Sequence, residues 1–364
     1  MLAMGALSLD WHLSASSEVS PVSEVIPRRA LTLEAVASEA GVSRATVSRV
    51  VNGGNRVSAS TQVVVERAIK RLGYTPNRAA RSLVTRRTDS VGLVIPEPTA
   101  HIFGDPFFPR LVRGISEILS QGDLQLVLLT PQSPSDEDRL RRYLTGGHLD
   151  GVMLVSLHGQ DPLAEFLRTS AVPVVVGGRP PSGAEVSFVD VDNIGGARSA
   201  VRHLIDRGRR RIATLTGPPD MAVAADRLEG YRLALSAGGL AGDRSLELSG
   251  EFDRETALAR TAEMLRRHPD VDAIFAGSDP MAVGALQAVR QAGRSVPGDV
   301  AIVSFDDSAL ALSAEPPLSS VRQPIEEMGR EMARLLTRMV TFRDRVARRV
   351  ILATELVVRA SSGG

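Results

Sequence analysis

The stretch Thr32-Leu33-Glu34-Ala35-Val36-Ala37-Ser38-Glu39-Ala40-Gly41-Val42-Ser43-Arg44-Ala45-Thr46-Val47-Ser48-Arg49-Val50-Val51-Asn52 decides how the amino-terminal part of the chain folds. Thr32 can cap a helix in which Leu33, Val36, Ala37 and Ala40 recur at helical spacing. Gly41 ends it, because a tight turn between two helices needs a residue that tolerates positive φ. A second helix starts at Ser43, turns Val47, Val50 and Val51 inward, and leaves Arg44, Ala45, Ser48 and Arg49 outside. This is the helix-turn-helix pattern, whose second helix lies in a DNA major groove. Ala45 and Arg49 share one outward face, and Arg44 sits at the helix end nearest the base edges. Arginine can donate two hydrogen bonds to guanine O6 and N7, which reads sequence. Ser43, Thr46 and Asn52 are short polar groups suited to phosphate oxygens, which set register. A third helix over about 60–72 is expected to close a small core with Val64, Ala68 and Leu72.

Tyr74-Thr75-Pro76-Asn77-Arg78-Ala79-Ala80-Arg81-Ser82-Leu83-Val84 follows. Pro76 breaks the preceding helix and Asn77 can cap a new one over roughly 78–84. Fewer than about 12 residues is marginal for an isolated helix, so this one needs a partner. Ala79 and Ala80 permit close approach of a second copy. Leu83, apolar among arginines, has the chemistry of a minor-groove wedge. Residues 31–90 carry ten basic and four acidic side chains, against a net charge of +1 for all 364 residues. A small basic module on a mildly acidic body points to a polyanion partner for the module.

Residues 1–30 are Ser-rich, lack a positive n-region and an apolar core, and read as a disordered extension or a start-site artefact and not an export signal. No apolar run is long enough to span a membrane. The absence of cysteine fits a reducing, cytoplasmic setting and excludes thiolate chemistry. From residue 91 onward, short apolar runs alternate with helical patterns. The strands expected are 91–95, 124–129, 151–155, 172–176, 212–215, 273–275 and 300–305. Helices such as 108–119, 136–144, 193–206 and 280–292 lie between them. Such alternation gives parallel sheets covered on both faces, and about 270 residues exceeds one comfortable core, so two doubly wound α/β lobes are expected behind the all-α head. Ligands of such sheets sit outside the carboxyl ends of the strands.

The run Thr32-Leu33…Val36-Ala37…Ala40-Gly41-Val42-Ser43…Thr46-Val47-Ser48-Arg49-Val50…Asn52, followed by Tyr74…Pro76-Asn77…Ala80…Leu83, resembles the DNA-binding head and hinge of the LacI/GalR family of transcriptional regulators. Residues 91–359 are similar to the sugar-binding core that the family shares with periplasmic sugar-binding proteins. The runs that carry this are Asp105-Pro106-Phe107-Phe108, Pro173-Val174-Val175-Val176-Gly177-Gly178-Arg179, Asp192-Asn193-Ile194-Gly195-Gly196-Ala197, Arg227…Gly230-Tyr231, Ala276-Gly277-Ser278-Asp279, Phe305-Asp306-Asp307 and Gln323-Pro324. The resemblance implies a head over 31–75, a hinge over 76–90 and a two-lobed effector and dimerisation domain over 91–364. It implies that Thr32, Ser43, Arg44, Ala45, Thr46, Arg49, Asn52, Asn77, Ala80 and Leu83 meet a pseudo-palindromic operator as a homodimer. Phe108, Arg179, Arg227, Ser278, Asp306 and Gln323 would hold a small effector between the lobes, with three segments crossing near Asp190, Gly277 and Ser319. Phe108 offers a flat apolar face, the arginines offer planar donor forks, and Asp306 and Gln323 suit hydroxyls. The chain departs from the family at Gly178, where an acidic residue is common, and at Ser278, where Asn is. A modified sugar, a water-bridged disaccharide and a nucleobase-like ligand all stay open.

Enzyme chemistry has no support in the sequence. No glycine-rich dinucleotide fingerprint follows the first strand, Lys70 is the only lysine, and no G-x-S-x-G elbow occurs. The six histidines lack metal-ligand spacing and read as surface or supporting residues. No cofactor is expected. A ligand-controlled transcriptional regulator is therefore the expected function, with a solute-binding protein of a sugar transport system as the alternative. No leucine heptads follow Arg359, so no appended coiled coil is expected.

Overall fold

The structure is a computed structural model that describes residues 32–51, 57–74, 87–122, 124–159, 163, 172–180, 185–344 and 346–363. The chain divides into two compact units, 1–81 and 82–364. In the first, α1 (Leu33–Ala40), α2 (Arg44–Val51) and α3 (Ala59–Leu72) enclose Val36, Ala37, Val47, Val65, Ala68 and Tyr74. Gly41 takes φ 64° and ends α1 as expected. Val65, and not Val64, fills the core: Val64 is 44% exposed. Ser58 caps α3, accepting from Thr61 N at 3.2 Å, and that start puts Val65, Ala68 and Leu72 on the inner stripe. Asn52, Asn77, Ala80, Leu83 and the short helix expected over 78–84 lie outside the described residues.

The second unit holds two six-stranded sheets. One runs β11-β5-β4-β3-β1-β2, with β1 Ser90–Val94, β2 Gln125–Leu129, β3 Gly151–Val155, β4 Val174–Gly177, β5 Ser187–Val191 and β11 Arg349–Leu352, all parallel. The other runs β12-β10-β9-β8-β6-β7, with β6 Ile212–Thr216, β7 Glu247–Ser249, β8 Ala273–Ala276, β9 Ala301–Asp306, β10 Ser319–Arg322 and β12 Glu355–Val357. Only β12 is antiparallel to its neighbour. Side chains alternate between faces. In β8, Ala273 and Phe275 meet α7 (Asn193–Asp206) and α8 (Ala222–Ala237), while Ile274 and Ala276 meet α9 (Arg254–Arg267) and α10 (Asp279–Gln291). Two doubly wound lobes are thus the observed architecture.

Three segments join the lobes: β5 to α7 through Asp192, β10 to α12 (Ile325–Phe342) through Gln323 and Pro324, and β11 to β12 through Ala353 and Thr354. The expected crossing near Asp190 is therefore present. Gly277 instead lies inside the second lobe, between β8 and α10, and Ser319 opens β10, whose crossing leaves from its other end. Strands β5 and β10 escape an apolar-run reading because they carry buried polar groups. Ser320 Oγ of β10 donates to Asp279 Oδ1 at 2.8 Å, and Ser304 of β9 donates to the same oxygen at 2.5 Å.

In the first lobe, α5 (Phe107–Leu119) crosses α12 at a pair of glycines. A Cβ on Gly114 would lie 2.0 Å from the Glu326 carbonyl oxygen, and one on Gly329 would lie 2.4 Å from that of Leu111. The obstructing atoms are backbone, so the helices would have to separate. Gly114→Ala is expected to cost about 1–3 kcal/mol of unfolding free energy through overpacking. Urea unfolding followed by helix ellipticity measures it, and an unchanged midpoint would show that the crossing has slack.

Candidate functional site

The head presents α2 outward. Arg44, Ala45 and Arg49 are exposed, as their phase demands. Arg44 Nε lies 2.8 Å from Glu34 Oε1, an ion pair in which both side chains are more than half exposed. Ser43 Oγ accepts from Thr46 N at 3.2 Å and shares a 2.9 Å hydrogen bond with Thr46 Oγ1, so these hydroxyls close the first turn of α2. Thr32 Oγ1 accepts from Ala35 N at 3.4 Å, the cap expected of it.

In the second unit, the carboxyl ends of the strands of both lobes converge on a cavity of about 840 Å³, part of it open to solvent. Phe108, Arg179, Arg227, Ser278, Asp306 and Gln323 all line it. The size and the few convergent polar groups suit a small-molecule site. Arg227, on α8, is 5% exposed. Its Nε donates to Asn193 Oδ1 at 3.0 Å, its Nη1 donates to the Gly277 carbonyl, and its guanidinium stands 3.7 Å over the Phe305 ring. Asp306 Oδ1 lies 3.7 Å from Nη1 and accepts from Gln323 Nε2 at 2.6 Å. Burial raises the Asp306 pKa well above the ordinary carboxylate value, against the pull of Arg227. Burial also lowers the pKa of Arg227, against the attraction of Asp306 and Asp190.

The remaining members differ in character. Phe108 belongs both to the cavity wall and to the first lobe's core, edge-on to Phe107 with ring centres 5.3 Å apart. Ser278 caps α10, its Oγ accepting from Met281 N at 3.4 Å. Arg179 is exposed and bidentate to Asp226, with Nε to Oδ2 at 3.1 Å. Gly178 takes φ 96°, a conformation an acidic residue would adopt only with strain. The carboxylate beside Arg179 comes from Asp226 instead. Sequence reading missed Asp226, and it also missed Asn193 and Asp190 as wall residues. Asp190 Oδ1 accepts from Asn193 Nδ2 at 3.0 Å. The signal for Asn193 was its place one residue beyond the Asp192 cap of α7.

A second cavity of about 1740 Å³, also partly open, adjoins the first and shares His101, Asp105, Met221 and Phe252 with it. Glu97, 7% exposed, lies in its wall. Burial pushes the Glu97 pKa up, but hydrogen bonds from His101, His158 and Ser156 outweigh it and bring the value to about 2. Hydrogen bonds to Asp105 and Glu97 raise His101 to about 10. Both histidines thus belong to an ion network, a partner set that spacing along the chain could not reveal. Among the described residues no group of histidines and carboxylates is placed to hold a metal ion, and no helix is long and apolar enough to cross a membrane.

Comparison with known proteins adds to this geometry. Residues 32–77 match the model of bacterial regulatory proteins, lacI family, and residues 201–362 match a periplasmic binding protein-like domain. Over 336 residues the chain is 52% identical to the HTH-type transcriptional regulator CelR of Thermobifida fusca, spanning 92% of this chain and 99% of that protein. It is 34% identical over 335 residues to the ribose operon repressor of Escherichia coli, spanning 91% and 99%. Among solved structures it is similar to a transcriptional regulator CelR–cellobiose complex, with a TM-score of 0.74, 50% identity, and 91% and 99% of the two chains covered. It is also similar to the lac repressor dimer bound to operator and the anti-inducer ONPF, with a TM-score of 0.79, 25% identity, and 92% and 99% covered.

Arg227→Met would strip Asn193 and the Gly277 carbonyl of a donor and Asp306 of its countercharge. Removing one partner of a buried pair costs roughly 3–5 kcal/mol, so a large fall in denaturation midpoint is expected. Asp306→Asn in the same chain should return part of the loss by removing the stranded charge. Additive losses would show that the two residues do not act as a pair.

Proposed function

The chain belongs to the lacI family of bacterial regulatory proteins, and on that premise we propose that a carbohydrate seated between its lobes changes its grip on operator DNA. It is a DNA-binding transcriptional regulator, and it acts as a homodimer on two operator half-sites, as two-fold symmetry requires. In this reading the protein works in the cytoplasm, where its DNA is, and the cleft binds its ligand without turning it over. The observation that carries the reading is the joining, in one chain, of an exposed Arg44–Ala45–Arg49 face and a cavity lined by Arg227, Asp306 and Gln323.

Arg49 and Arg44 read base edges, Ala45 lets the helix approach closely, and Thr32, Ser43, Thr46 and Asn52 face phosphates. Arg44 must exchange Glu34 for DNA, and the exposure of that pair keeps the exchange cheap. Asn77, Ala80 and Leu83 belong to a hinge over 76–90, between a head over 31–75 and the lobes over 91–364, with 1–30 as an extension. In the cleft, Arg179, Arg227, Asp306 and Gln323 bond hydroxyls, Ser278 completes the polar wall, and Phe108 with Phe107 offers apolar faces to a sugar ring. Cellobiose is the first ligand to try, because the CelR relative was solved with it. Full switching between states needs about 5.5 kcal/mol of differential affinity, shared over the two sites of a dimer.

Two measurements test this. Fluorescence anisotropy with labelled operator should show a change in affinity on adding cellobiose, with Arg179→Ala blunting the change and leaving operator binding intact. An operator affinity indifferent to cellobiose and to a panel of other sugars would overturn the ligand assignment. Arg49→Ala should lose about 1–3 kcal/mol of discrimination between operator and scrambled DNA. Retained discrimination would remove Arg49 from the reading face.

A further inference from the structure

Glu97 follows β1 in the first lobe, and Asp220 follows β6 in the second. His158, after β3, stands between them. Its Nε2 lies 3.1 Å from Glu97 Oε1, and its Nδ1 lies 3.2 and 3.3 Å from the two oxygens of Asp220. Beside it, Gly159 N donates to the Asp220 carbonyl at 2.9 Å, a second bond between the lobes. Strands β1, β3 and β6 are each two or more places along their sheets from β5, β11, β10 and β12, where the chain crosses. At about 4.8 Å per strand, that puts this bridge on the order of 10–15 Å from the crossings.

We propose that His158 is a positioning residue for effector binding, a protonated clasp between Glu97 and Asp220 that draws the lobes together on the side of the cleft away from the crossing segments. This deepens the proposed function and rests on it for the ligand, while the clasp itself rests on the distances above. The surroundings favour the imidazolium. Ser156 Oγ donates to Glu97 at 2.5 Å and His101 Nδ1 lies 3.3 Å from it. Asp105 stands behind His101 at 3.5 Å. From the second lobe, Glu251, Asp253, Arg254 and Glu255 line the same cavity, and Arg254 is engaged by Gln287 at 2.7 Å.

The geometry fixes the sign of the pH response. Hydrogen bonding to Glu97, reinforced by its charge and that of Asp220, raises the His158 pKa to about 9 against the effect of burial. Opening the lobes removes Asp220 and leaves Glu97 in place, so the value falls only by the Asp220 contribution and closure takes up a fraction of a proton. The clasp is complete well below pH 9 and is lost as pH rises through about 9. His101 has both partners in one lobe and keeps its proton through the movement.

The test is calorimetric titration of the full-length protein with cellobiose near pH 8, in buffers of different ionisation heat. Binding should take up a fraction of a proton per site, and affinity should fall by correspondingly less than about tenfold per unit as pH rises from 7 to 9. His158→Gln and Asp220→Asn should each abolish the uptake and flatten the profile. Binding of cellobiose by the wild type without uptake, or uptake that persists in His158→Gln, would overturn the clasp. No heat with cellobiose at any pH would sink cellobiose as the ligand, and the clasp is then tested with no ligand present. The chain has no cysteine, so nitroxides on Asp138→Cys and Ala259→Cys, exposed positions on opposite lobes, report the separation in dimers diluted with unlabelled subunits. That separation should lengthen between pH 7 and 9.5 in the otherwise wild-type protein and stay constant with His158→Gln. A constant separation in both would overturn the proposal.

Discussion

A guanidinium held away from water organises the effector domain. Arg227 has no bulk solvent to lean on, so every donor it carries must find an acceptor, and the acceptors come from several places: Asn193 at the first crossing, the Gly277 carbonyl between β8 and α10, and Asp306 at the end of β9. The Phe305 ring backs its plane. Satisfying one cation thus fixes the ends of three elements against each other. Asp306, raised by burial and restrained by Arg227 and Gln323, is left with acceptor capacity facing the cavity. A hydroxyl-rich ligand would complete a set of partners that the protein alone fills only in part.

How much of this could be read from residues in order depends on whether the signal was local. The head was legible because the periods of α1 and α2 and the turn at Gly41 are local facts. Its one error, Val64 for Val65, is a phase error of one residue in a valine-rich run. Strands β1, β3 and β8 were legible because parallel strands buried on both faces are unbroken apolar runs, and β6 and β9 because only Thr214 and Ser304 interrupt theirs before the last residue. Strands β5 and β10 were not, since Asp190, Ser319 and Ser320 interrupt them: the partners of the serines sit far along the chain, and Asp190 is held by its near neighbours Val191 and Asn193. The six cleft residues were legible only by resemblance. The Glu97–His101–His158–Asp220 network was not legible at all, because its members are separated by up to 123 positions and meet only when both lobes are built.

The two halves of the molecule hold their charges differently. In the head, Arg44 and Glu34 form a pair that water screens, which suits the base-reading role proposed for Arg44. In the cleft, Arg227 and Asp306 are shut away from solvent, which suits a fixed frame against which a ligand is measured. Arg179 with Asp226 lies between these extremes, exposed enough to rearrange and close enough to the cavity to reach its contents.

The three crossings also impose an order on synthesis. Strand β11 pairs with β5, and α12 packs on α5, so the first lobe is finished only by residues 325–352. Until these leave the ribosome, the apolar edge of β5 and the groove above Gly114 stay uncovered, although the residues around them were made far earlier. Long-range pairing of this kind folds slowly and leaves sticky intermediates. Nascent chains of this protein should therefore depend on chaperones through most of their translation, and truncation before β11 should yield aggregates and not a half-sized binding protein.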